Sequence, residues 1–127
     1  MQSISPEIIF RGDNAWEESL PQITKLTKSP LILGRGIHTN NLRNKIFSDL
    51  KNNQLSVNSE NIQFDCCYED ISRVKNTILE NNHDAVIAAG GGKVLDSGKY
   101  IADSLDIPCI TVPVSYTHLR AHETLSY

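Results

Sequence analysis

The sequence predicts an α/β domain, a mainly parallel sheet with helices on both faces. Three observations carry this. Short continuous apolar runs, Leu31–Leu33 and Ala85–Ala89, are too short for helices and apolar enough to be buried on both sides. Between the candidate strands lie segments whose apolar residues return every three or four positions, the spacing of an amphipathic helix. Both runs end in glycine turns, Gly34-Arg35-Gly36 and Gly90-Gly91-Gly92-Lys93, where the strand of a βαβ unit hands over to its helix.

Ile8, Ile9 and Phe10 form a first short strand that stops at Arg11-Gly12-Asp13. Asn14 with Glu17 makes a capping box, and Trp16, Leu20, Ile23 and Leu26 give the first helix its inner stripe. Ser29-Pro30 ends that helix before the second strand, Leu31–Leu33. Thr39 or Asn40 caps a second helix with Leu42, Ile46, Phe47 and Leu50 facing inward. Asn61–Cys67 reads as the third strand, with Ile62 and Phe64 on one side. A third helix over Glu69–Asn81 has Ile71, Val74, Ile78 and Leu79 as its stripe. After Ala85–Ala89 and the glycine turn, a fourth helix runs to Leu105 with Val94, Leu95, Ile101 and Leu105 inward. Pro108–Val112 is the last strand.

Composition narrows the function. With 127 residues, 39% hydrophobic and 21% charged, the chain suits one domain with a real core. The net charge of −3 and the scattered Lys and Arg argue against a nucleic-acid partner. No apolar run approaches membrane-spanning length, and Met1-Gln-Ser-Ile-Ser-Pro6 lacks the form of a signal peptide, so the expected location is cytoplasmic. Cys66, Cys67 and Cys109 are odd in number and lack metal-site spacing, so they are expected to be buried, reduced thiols.

The chemistry concentrates at Gly90-Gly91-Gly92-Lys93. Consecutive glycines let backbone N–H groups approach an anion, the following helix aims its positive dipole end at the same spot, and Lys93 adds a full charge. A bare turn without a ligand is the plain alternative, but it does not need the backbone entropy that three glycines cost. A Walker A loop is excluded, because Ile87 stands where its first glycine belongs and Val94 follows Lys93. A Gly-x-Gly-x-x-Gly fingerprint fails at Leu95. In a parallel sheet, ligands bind at the carboxyl ends of the strands, so Gly34–Gly36 and Gly90–Lys93 can share one elongated ligand.

Gly90-Gly91-Gly92-Lys93-Val94-Leu95-Asp96-Ser97-Gly98-Lys99, followed by Ile107-Pro108-Cys109-Ile110-Thr111-Val112-Pro113, resembles the iron-containing alcohol dehydrogenase superfamily. The nearest branch is glycerol dehydrogenase and its relatives, with the pattern Gly-Gly-Gly-Lys-x-x-Asp-x-x-Lys. The resemblance covers roughly residues 6 to 113 and implies a Rossmann-like sheet. It assigns the pyrophosphate of a nicotinamide dinucleotide, NAD or NADP, to Gly91, Gly92 and Lys93, with Gly90 shaping the turn. Asp96 and Lys99 match motif positions and read first as cap or surface charges. The family's acidic residue for the adenosine ribose falls by alignment on Gly34, next to Arg35. A missing carboxylate beside a guanidinium should relieve repulsion of a 2′-phosphate, so NADP is expected to be tolerated or preferred.

Beyond Pro113 the text changes. His118 and His122, spaced i, i+4 beside Glu123, suggest a metal site. However, Val114–Thr124 resembles the translation of a transposase-type sequencing adapter, so residues 114–127 are expected to be non-native. By the resemblance, the helical domain that supplies the Asp and His ligands to iron or zinc in the full-length parent is then absent. His38 and His83 are not ligands and are expected to be solvated. The parent is expected to be an NAD(P)-linked dehydrogenase of a small-molecule alcohol or polyol, with homo-oligomerisation possible. The chain itself should bind dinucleotide weakly at most and turn nothing over. Rival readings are glycerol-1-phosphate dehydrogenase, a dehydroquinate synthase-like enzyme, and a non-catalytic nucleotide-binding module.

Overall fold

The computed structural model describes residues 7–9, 15–36, 40–63 and 67–113. The elements alternate: β1 (Glu7–Ile9), α1 (Ala15–Leu26), β2 (Pro30–Gly34), α2 (Asn40–Asn52), β3 (Asn58–Asn61), α3 (Tyr68–Glu80), β4 (Ala85–Gly90), α4 (Gly92–Leu105) and β5 (Cys109–Pro113). The strands make one five-stranded sheet in the order β1-β5-β4-β2-β3, and every neighbouring pair is parallel. This is the predicted Rossmann-like α/β sheet.

The strand order decides which helix lies where. Parallel crossovers are right-handed, so connections moving one way across the sheet share a face and a reversal changes face. The chain moves from β1 to β2 to β3 in one direction, which puts α1 and α2 on one face. It turns back at β3, which puts α3 and α4 on the other. The two cores agree. Trp16, Ile23, Ile46 and Leu50 of α1 and α2 pack on Ile32, Ile87, Ala89, Ile110 and Val112. Val74, Ile78, Val94, Ile101 and Ala102 of α3 and α4 pack on Leu31, Leu33, Val86, Ala88 and Cys109. Within each central strand, alternate residues serve opposite cores.

Polar contacts tie the layers. Trp16 donates its indole N–H to Asp49 Oδ2 at 2.8 Å, giving the buried ring the partner it needs. Lys45 then bridges Glu17 at 2.8 Å and Asp49 at 3.0 Å, joining α1 to α2. At the opposite end from the glycine turns, Asp84 accepts hydrogen bonds from the Thr27 hydroxyl and from the amides of Lys28 at 3.0 Å and Ser29 at 3.1 Å. Burial alone would raise its pKa, but these donors outweigh it and hold the carboxyl below its ordinary value. A depressed folded-state pKa stabilises above the unfolded value near ~3.9 and is lost as pH falls through the folded one. Asp84→Asn should therefore cost about 1 kcal/mol at neutral pH, given partial exposure. Urea melts of the variant should also lose less stability between neutral and strongly acidic pH than those of the parent chain. Identical pH profiles would remove this role from Asp84.

Four expectations need correction. The third strand is Asn58–Asn61, not Asn61–Cys67. It is an edge strand, selected by backbone pairing with Leu31–Gly34, and its polar sequence suits an open sheet margin. Its buried neighbours, Leu55, Val57 and Ile62, flank it rather than form it. Leu79 does not join the α3 stripe. It is 60% exposed, one step around the helix from Ile78, near the exposed Tyr68 and Tyr100. His83 is buried, not solvated. Its ring N–H at Nδ1 donates to the Ser29 carbonyl at 2.9 Å, and Nε2 lies 2.9 Å from Asn58 Oδ1. Cys67 is half-buried and its thiol donates to Glu69, whereas Cys109 is a buried, reduced thiol as expected. Phe10, Asn14, His38, Thr39, Phe64, Cys66 and the whole 114–127 tail lie outside the described residues.

Candidate cofactor crevice

A doubly wound sheet opens a crevice where neighbouring strands send their helices to opposite faces. Here those strands are β2 and β4, which lead into α2 and α4. Leu33 and Ala88 are their last paired residues, so Gly34 and the Ala89–Gly90 step emerge side by side at the carboxyl edge. Gly90 also pairs with Pro113 at the end of β5. The two glycine turns singled out in the sequence therefore flank one crevice.

The β4 turn has distinct demands at each position. Gly90 is buried with φ of +156°, and a Cβ there would lie 3.1 Å from Val94 Cγ2. The backbone favours glycine, and a Cβ would also press tightly on Val94. Gly91 caps α4 with φ −85° and ψ −169°, which any residue can adopt. A Cβ on Gly91 or Gly92 meets none of the described residues within 4 Å. The described packing thus accounts for glycine at position 90 and places no such demand on Gly91 or Gly92. Bare backbone at a helix N-terminus has the form in which an anion can be held closely.

The electrostatics of α4 suit the same ligand. Its first turn holds no acidic residue, so no carboxylate of that turn opposes the positive end of its dipole. Lys93 is exposed at the second helical position, while Val94 is buried under the turn. The Ser97 hydroxyl, itself buried, donates back to the Lys93 carbonyl at 2.7 Å. Asp96 and Lys99 are exposed, as expected of surface charges.

Gly98 was not singled out in the sequence, yet it sets the seating of α4. A Cβ there would come 2.6 Å from Ala88 Cβ and 3.6 Å from Cys109 Sγ. Only glycine lets the helix lie this close to β4 and β5. The signal was available, because Gly98 falls on the inward face between Val94 and Ile101.

At the β2 turn, Gly34 is buried and Arg35 is exposed. Arg43, also not singled out, is 5% exposed. It lies against Gly34 so closely that a Cβ on Gly34 would be 2.2 Å from Arg43 Cδ and Nη1. Its Nη2 donates to the Gly36 carbonyl at 2.8 Å and to Asn40 Oδ1 at 2.5 Å. Burial pushes its pKa below the ordinary arginine value. Among the described residues, no group of three or more His, Cys, Asp or Glu side chains could hold a metal ion. No described helix is long and apolar enough to cross a membrane.

The topology and the crevice define a Rossmann-like α/β domain. Residues 6–118 match the iron-containing alcohol dehydrogenase family. The chain belongs to this family. Glycerol dehydrogenase 1 of Schizosaccharomyces pombe is 28% identical over 123 residues, covering 96% of this chain and 27% of the relative. Glycerol-1-phosphate dehydrogenase [NAD(P)+] of Nitrosopumilus maritimus is 30% identical over 109 residues, covering 83% of this chain and 29% of the relative. The crystal structure of the Schizosaccharomyces pombe glycerol dehydrogenase superposes with a TM-score of 0.71 at 24% identity, covering 85% of this chain and 27% of that one. The chain therefore spans less than a third of the length of these relatives.

Proposed function

We propose that this chain is the dinucleotide-gripping part of a metal-dependent, NAD(P)-linked dehydrogenase of a glycerol-type polyol. The observation that carries the reading is the pair Gly91 and Gly92, which have ordinary backbone angles or open surroundings and still lack side chains. Family membership supports the redox class.

In this reading, the first-turn amides of α4, Gly91, Gly92 and Lys93 hold the pyrophosphate, and Gly90 fixes the turn's shape. Gly34 and Arg35 flank the adenosine end. When bound, the nicotinamide accepts or gives hydride and a divalent iron or zinc polarises the substrate oxygen. The described residues contribute binding and orientation only, so the chain alone turns over no alcohol. We read residues 114–127 as adapter-derived, and the domain boundary as Pro113. Sequencing the gene across codon 114 tests that boundary. A glycerol phosphate in place of glycerol is the second reading, favoured by the 30% identity to a glycerol-1-phosphate dehydrogenase.

Titrating the 127-residue chain with NADP and with NAD, followed by amide-resolved NMR, tests the cofactor assignment. Weak binding of both at the two strand ends, with NADP at least as tight, is the expected result. NAD binding at least tenfold tighter would overturn the NADP preference.

A further inference from the structure

The adenosine end of the crevice has a built feature that the glycine turn does not explain. Arg43 lies almost wholly out of water, stacked over Gly34, and fastens the Gly36 carbonyl to the first residue of α2, Asn40. Guanidinium groups remain charged even when buried. With Arg43 in this position, a Cβ at position 34 would overlap its guanidinium end, so the bare Gly34 backbone lets Arg43 lie flat beneath the loop. In dinucleotide sheets, a carboxylate at the end of the second strand takes the ribose hydroxyls, and a nearby Arg accommodates a 2′-phosphate. Here the second strand ends in Gly34, which offers no carboxylate, and an arginine lies beneath the loop.

We infer that Arg43 is the positioning residue that sets the crevice's preference for a nucleotide carrying a 2′-phosphate. It shapes the Gly34–Gly36 loop and puts a fixed positive charge beneath it. Arg35 is exposed and so acts through water, where a charge is screened. Arg43 acts through the protein interior, where it is screened far less. The inference rests on the crevice being the cofactor site.

The test uses the 127-residue chain with 2′,5′-ADP and 5′-ADP as probes, read by amide NMR at low and moderate salt. The parent chain should bind 2′,5′-ADP roughly tenfold tighter than 5′-ADP, the scale of one added ion interaction in an intermediate dielectric. Arg43→Met, which keeps most of the buried stem, should bring the ratio to about one. Arg43→Lys keeps the charge without the fork and should keep part of the preference. Lys51→Gln removes an equal charge from the exposed end of the same helix and should leave the ratio alone. General damage to the fold would lower both affinities together, so the ratio isolates Arg43's role. An unchanged ratio in Arg43→Met, or a preference abolished by Arg35→Gln while Arg43→Met retains it, overturns the inference and leaves the cofactor site intact. If neither probe perturbs the crevice, the cofactor reading itself fails, and this inference with it.

Discussion

Replacing Gly98 with alanine should destabilise the chain by about 1–3 kcal/mol, the usual cost of forcing a methyl into a packed core. The new Cβ would sit 2.6 Å from Ala88 Cβ, whereas carbon atoms rest comfortably at ~3.5–4.0 Å. Ala88 has no rotamer with which to yield, so α4 must lift from the sheet by about 1 Å. The lift would carry the Gly90–Lys93 turn with it, because the turn is the first residue pair and cap of that helix. Both the melting temperature and dinucleotide affinity should fall. Ala88→Gly in the same chain removes the opposing methyl and should restore much of the loss. Gly98→Ala with unchanged melting would mean that α4 is seated less tightly than its backbone indicates.

Replacing Gly92 with alanine should have the opposite profile. The residue is the first of α4, and a Cβ there meets none of the described residues within 4 Å. Alanine is the better helix former by up to ~1 kcal/mol, less at a helix end, so stability should hold or rise slightly. Dinucleotide affinity should drop about tenfold or more, since one misplaced methyl against a phosphate forfeits a charge-assisted hydrogen bond of ~1.5–3 kcal/mol. Gly91→Ala should behave the same way, its backbone angles being open to any residue. A chain that gains stability and loses binding cannot be explained by a damaged fold. Equal affinity in the variant would mean that these glycines serve no phosphate.

Much of the architecture was legible in the sequence because it depends on local patterns. Leu31–Leu33 and Ala85–Ala89 are apolar on both faces, which only the interior of a parallel sheet requires. The crevice was legible for the same reason, since both glycine turns follow those two runs. The third strand was not. Asn58–Asn61 is polar and becomes a strand through hydrogen bonds to a partner more than twenty residues away. The burial of His83 was hidden likewise, because it depends on Ser29 and Asn58 meeting at the sheet's amino edge. Arg43 stands three residues before Ile46 and seven before Leu50, on the inward stripe. An arginine on an apolar stripe beside a glycine-ended strand is a readable signal of a buried guanidinium.

The central claim is that the turn from Gly90 to Lys93 grips the pyrophosphate of a nicotinamide dinucleotide. The most direct test is an amide-resolved NMR titration of the 127-residue chain with NADP into the millimolar range. The account predicts that the largest shifts fall on Gly91, Gly92, Lys93 and Val94, with a second set at Gly34–Gly36 across the crevice. The same amides should respond to inorganic pyrophosphate alone at the first set only. Shifts centred elsewhere, such as the groove between α3 and α4 beside Tyr68 and Tyr100, or a spectrum unchanged throughout, would contradict it.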